Sequence, residues 1–190
     1  MQRSEQPHIE VARARVAIAH LGSAASVEAF GDAWNEYLHR LERIWSKLSA
    51  NYRRSPKWDS WQGKVVTQRR VDPLLSYLVN ARGVEEHGVS EIVNTRATLT
   101  INEAKEGEGV YIPFLGVDDG VITVVTDPSM KVDFSVKVQL AAVVNRGRTY
   151  SVPASHIGNA IDPTDIVAVA EAGLTYYQGV LAAAEHYFTT

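Results

Sequence analysis

Arg82 and His87 lie five positions apart in the stretch Asn80-Ala81-Arg82-Gly83-Val84-Glu85-Glu86-His87-Gly88, at the end of an apolar segment that reads as a helix. Arginine keeps its charge at any physiological pH, whereas histidine takes up or releases a proton near neutrality. Together they can bind a phosphodiester and move a proton on it without a metal. On a straight helix, at about 100° per residue, the two side chains point about 140° apart. They converge only where the helix bends or ends between them, and Gly83 and Gly88 supply backbone that permits either. A second copy of the chain contributing its own pair is the other route. The plain alternative is an arginine paired with Glu86, four positions on, and a histidine near a helix end.

The elements that must hold this pair show in the periodicity. Over 8–21, Ile9, Ala12, Val16 and Ala19 recur at helical spacing before Gly22 breaks the pattern. Ser26 has the chemistry of an N-cap. It opens the strongest stripe in the chain: Val27, Phe30, Trp34, Tyr37, Leu38, Leu41, Trp45, Leu48 and Tyr52. Steps of three and four predict one long amphipathic helix there. Residues 53–71 read as an irregular polar connection, with Trp58 and Trp61 among Arg53, Arg54, Lys57, Lys64, Arg69 and Arg70. Such a mixture can hold a single strand by charge and stacking; the plainer expectation is that the tryptophans pack over the end of a bundle. Asp72-Pro73 then starts a third helix, with Asp as cap and Pro at the first position. Its stripe of Leu75, Leu78, Val79 and Arg82 runs on to Val93.

At Thr95 the period changes to two. Strands over 98–102, 110–115, 121–126 and 132–140, separated by three turns, predict an antiparallel meander. Residues 145–160 read as a loop carrying Arg146, Arg148, Tyr150 and His156. This loop either reaches the site, bringing a phosphate contact or a second histidine, or simply crosses to the last helix. Asp162-Pro163 repeats the start signal, and Ile166, Val167, Ala170, Leu174, Tyr177, Leu181 and Ala184 mark the final helix. A lone helix cannot bury its stripe unaided, so this one is expected to return to the first three; packing across the sheet is the alternative. The expected fold class is α+β: a helical bundle of three N-terminal helices plus one C-terminal helix (1–94 and 162–190), with an inserted antiparallel β-meander and connecting loop (95–161).

With 190 residues, 45% of them hydrophobic, the chain can build one domain with a true core. A net charge of −3 argues against coating nucleic acid through bulk charge, while leaving room for a local basic patch. The absence of cysteine excludes disulfides and thiolate metal sites. His8, His20, His39 and His186 have no partner at metal-ligand spacing, so neither metal nor cofactor is expected. The amino terminus lacks the apolar core of a signal peptide, and no apolar run approaches the length of a membrane span. A cytoplasmic protein with no membrane association is the expectation.

Arginine, four residues, then histidine, late in a helix of a bundle and preceded by Leu78 and Val79, resembles the R-x4-6-H motif of HEPN domains. The resemblance covers roughly 8–94 and 162–188 and leaves 95–161 outside it. Many members are metal-independent endoribonucleases of prokaryotic toxin and phage-defence systems. They typically form homodimers that bring two motifs into one cleft. The residue after the arginine is often polar in that family; here it is Gly83. The resemblance implies RNA as partner, His87 moving a proton as a 2′-hydroxyl attacks phosphorus, and Arg82 holding the phosphate. Asn80 and Glu86 would orient substrate or histidine, and Arg146 and Arg148 are the further candidate substrate contacts. The competing function is a non-catalytic interaction module whose sheet binds a partner protein and whose Arg82 and His87 are structural.

Overall fold

In the computed structural model, which describes residues 4–83, 93–102, 114–118, 121–125 and 131–189, Ser26 caps the 26-residue helix α2 (Val27–Tyr52) by accepting from the Ala29 N–H at 3.0 Å. Most of the stripe read from sequence is buried, with Trp45 only half-buried. Phe30, Trp34, Tyr37, Leu38, Leu41, Leu48 and Tyr52 all enter the core, joined by Ile44, while Val27 stays 38% exposed. Against α2 pack α1 (Gln6–Ser23), α4 (Pro73–Arg82) and α5 (Ile166–Thr189). The final helix therefore does return to the bundle. Tyr37 fastens it there, its hydroxyl donating to the Ala170 carbonyl at 2.7 Å.

Helix α1 buries a different face from the one its apolar spacing predicts. Ile9 and Val16 are 39% and 54% exposed, while Glu10, Val11, Ala14, Ala17, Ile18 and Leu21 face inward. The reason is Glu10, a carboxylate on the core face that disguises it. Glu10 is fully buried, 2.8 Å from Arg40 and 3.1 Å from Arg43 on α2, and 3.4 Å from Arg13. Burial works to raise its pKa; the hydrogen bonds from Arg40 and Arg43 outweigh this and hold the carboxyl below the usual range.

Two further elements depart from the sequence reading. The polar connection contains a helix, α3 (Trp58–Val71), which buries only Trp58 and Val65, two turns apart. A stripe that narrow leaves little periodic signal. Trp58 packs at a tilt against Trp45, Trp61 and Phe188, so the tryptophans do cover the end of the bundle. At the other end of the chain, Asp165 rather than Asp162 caps α5, accepting from Ala168 N–H at 2.9 Å, while Asp162 closes a turn onto Thr164. Among the described residues α5 alone is long and apolar enough, by length and composition, to cross a membrane. Here its apolar face is part of the bundle core.

The chain divides into two units, 1–94 with 139–190, and 95–138. Residues 139–161, placed by the sequence reading in the insertion, thus belong with the helices. In place of a loop they form two small antiparallel hairpins, β5 (Val143–Asn145) with β6 (Arg148–Tyr150) and β7 (Ser155–His156) with β8 (Asn159–Ala160). Each is closed by two residues with positive φ, Arg146 and Gly147 at 51° and 74°, Ile157 and Gly158 at 48° and 78°. That sign pattern belongs to the type I′ turn, whose twist matches paired strands. Within the other unit β2 (Phe114–Asp118) pairs antiparallel with β3 (Val121–Val125); β1 (Val93–Asn102) and β4 (Lys131–Leu140), most of whose residues belong to it, pair with each other. Among the described residues the pairing is nested, first with last, where a meander would pair each strand with the next. Val93, read as helical, opens β1.

Candidate anion-binding cleft

Asp72 starts the helix that carries the site. Its carboxylate accepts from Leu75 N–H at 3.0 Å, and Pro73 takes the first helical position, where a missing N–H costs nothing. Leu74, Leu75, Tyr77, Leu78 and Ala81 bury the inner side of α4. Tyr77 donates its hydroxyl to the Ala141 carbonyl at 2.8 Å, fixing α4 against the segment that leads into β5. The helix ends at Arg82, with Gly83 as its C-cap, so the end of the helix falls between the two motif residues. His87 and Glu86 lie outside the described residues.

Beyond the end of α4 opens a cleft of about 790 Å³. Asn80 and Arg82 line it from α4, His39 from α2, and Asn145, Arg146 and Tyr150 from the β5–β6 hairpin. Arg148 stands behind it, its guanidinium 5.4 Å from the centroid of the Tyr150 ring. Three of the expected site residues, Asn80, Arg82 and Arg146, therefore share one cavity, and Arg148 packs against its wall. No carboxylate is among the described lining residues.

His156 is not part of this cleft. Its Nδ1 lies 3.0 Å from Asp72, whose other oxygen accepts from Ile157 N–H at 2.7 Å, and it lines a separate, largely apolar groove with Trp61, Val65 and Tyr176. Burial pushes the Asp72 pKa up; the N–H groups of Ile157 and Leu75, with His156, overcome this and keep the carboxyl below the ordinary range. Among the described residues no three His, Asp or Glu side chains gather as a metal site would require.

Sequence reasoning missed His39 and Asn145. Nothing local marks His39, which sits on the polar side of α2 and meets the cleft only through packing. A weak signal existed for Asn145: Arg146-Gly147 and Ile157-Gly158 each place Gly second in a two-residue turn.

Gly83 acquires a local reason from the same geometry. A Cβ built there would lie 2.7 Å from Asn145 Nδ2 and 3.3 Å from its Cγ. That amide donates to Asn80 Oδ1 at 3.0 Å, and Asn80 donates to the Ser76 carbonyl at 2.7 Å, so a chain of amides ties the hairpin to α4. Gly83→Ala is expected to turn the Asn145 amide away and to cost about 1 kcal/mol, the worth of one partly buried hydrogen bond. Chemical denaturation of Gly83→Ala, Asn145→Ala and the double variant checks this. The double variant should be little worse than either single one; full additivity would show that the two positions do not act on each other.

Comparison with protein-family models, with curated proteins and with solved structures finds no match to this chain.

Proposed function

We propose that this protein binds RNA in the Arg82–Arg146 cleft and, with His87, cleaves it without a metal, as a homodimeric HEPN-like ribonuclease of the cytoplasm serving a toxin or phage-defence system. The observation that carries the binding reading is the sign of the cleft. The chain has 22 acidic against 19 basic residues, yet the cavity gathers the two arginines Arg82 and Arg146 without one described carboxylate. Such a concentration attracts an anion, and paired guanidinium forks suit phosphate oxygens in particular.

Arg146 adds weight because its position is a poor one for arginine. The first residue of a type I′ turn favours Asn, Asp or Gly, and a φ of 51° places a side chain in the left-handed region. A residue that the turn does not prefer, lining the cavity that also holds Arg82, is consistent with selection for reach over local stability.

Arg146→Asn separates the two demands. The variant should fold at least as stably as the wild type, since asparagine suits the turn, yet bind single-stranded RNA more weakly. Fluorescence anisotropy at several salt concentrations reads this. Binding by the wild type should fall with salt, and the variant's log–log slope should be shallower by about 0.7, the share of one phosphate contact on a single strand. RNA binding that is absent, or insensitive to salt, would remove the reading.

A further inference from the structure

Tyr150 offers the cleft something that phosphate binding alone does not use. Arg148 and Tyr150 are two apart on β6 and so share a face of the hairpin. The guanidinium of the first lies over the ring of the second, 5.4 Å from its centroid. The ring is half-buried and lines the cavity together with Arg82 and Arg146. Tyr150 also stands opposite the buried Val143 in the strand register, which ties its backbone to the core. A flat aromatic surface is therefore held in place beside two phosphate-seeking cations.

We infer that Tyr150, with Arg148 stacked on it, is the platform for an unpaired base, so that the substrate class is a single-stranded nucleotide segment with its phosphates on Arg82 and Arg146. The inference rests on the RNA reading of this cleft. Phosphate contacts alone do not distinguish paired from unpaired nucleic acid, whereas an aromatic ring does. In a duplex both faces of a base are covered by its neighbours, and only an unpaired or flipped base can stack on a protein ring. A ring already fixed by a cation gives up little freedom when the base arrives. Stacking also tolerates any base, so this platform favours single strands without favouring a sequence.

Anisotropy titrations with a short labelled RNA, alone and annealed to its complement, test the inference. The single strand should bind at least about ten-fold more tightly than the duplex, and Tyr150→Leu should weaken it about ten-fold, the usual effect of losing one stacked base. Tyr150→Phe keeps the ring and should bind as the wild type does; thermal melts of both variants confirm the fold. A strand with abasic sites supplies a readout that a purely structural tyrosine would not move, because wild type and Tyr150→Leu should bind it alike. Equal affinity for strand and duplex, or unchanged binding by Tyr150→Leu, would overturn the platform. A free nucleoside monophosphate competing as well as the strand would also overturn it, in favour of a mononucleotide site. Should the wild type bind neither strand nor duplex, it is the RNA reading itself that has failed.

Discussion

Arg82→Ala is expected to slow degradation of single-stranded RNA by at least about a hundred-fold while leaving the protein folded. In the proposed reaction the 2′-hydroxyl oxygen bonds to phosphorus and the bond from phosphorus to O5′ breaks. The hydroxyl proton passes to His87, and O5′ takes up a proton as it departs, leaving a cyclic phosphate. Negative charge builds on the non-bridging oxygens as this happens. A guanidinium held beside them is worth roughly 10²–10³ in rate, by analogy with removal of one oxyanion-hole donor. Loss of the proton-transfer group in His87→Ala should cost about 10²–10⁴. Folding should be spared in Arg82→Ala because Arg82 is exposed at the last position of α4, where substitution usually changes stability by no more than about 0.5 kcal/mol. Arg82→Lys, which keeps the charge and loses the fork, should fall between. Degradation should persist in a metal chelator. Measured rates of product formation decide the matter, and wild-type rates in either purified alanine variant would eliminate the catalytic part of the proposal while leaving RNA binding to its own test.

The largest expected loss of stability comes from Asp72→Ala, at about 2–4 kcal/mol. Three groups converge on this one carboxylate: the Leu75 N–H, the Ile157 N–H and His156. Losing an N-cap costs about 1 kcal/mol, and stranding the other partners adds about 1–3 kcal/mol. Ile157 deepens the effect. It is a β-branched residue at a φ of 48°, a conformation that needs holding, and the 2.7 Å bond to Asp72 is what holds it. For a chain of this size the melting temperature should fall by roughly 5–15 °C, and hydrogen exchange should show the β7–β8 hairpin opening first.

The same carboxylate sets a pH dependence. Its folded pKa is depressed relative to an ordinary aspartate, so its contribution is present above the unfolded value of about 4 and disappears as the pH falls through the folded one. The stability gap between wild type and Asp72→Ala should therefore be constant near neutrality and narrow below about pH 4. A gap that stays constant down to about pH 2 would show that the Asp72 carboxylate does not set the dependence. Glu10, whose pKa is also lowered, contributes with the same sign to both proteins and cancels in the difference.

Much of the bundle was legible because local chemistry repeats along it. The α2 stripe needed only its three-and-four spacing, and Ser26 and Asp72-Pro73 announced their helices through capping groups that the structure uses as expected. The failures each have a physical origin. On α1 a charged residue occupies the core face, and Glu10 is tolerated there only because Arg40 and Arg43 arrive from another helix. With α3 the apolar stripe is two residues wide. The hairpins at Val143–Tyr150 and Ser155–Ala160 went unread because their strands are two or three residues long, too short for alternation to register.

Helix positions, caps and the apolar faces of α2 and α5 follow from interactions that reach no further than a turn or two, and such interactions are written into neighbouring residues. The cleft follows from a different kind of contact. His39, Arg82 and Arg146 come from three elements spread over more than a hundred positions, and nothing in their spacing says that they meet. Arg82 was singled out for its type and its place at a helix end. Only the packing of the β5–β6 hairpin against α4, through Tyr77 and the Asn80–Asn145 amides, supplies the second cation and the aromatic wall. Charge and hydrogen-bond complementarity across long loops is a property of the folded chain, and that is the level at which this site exists.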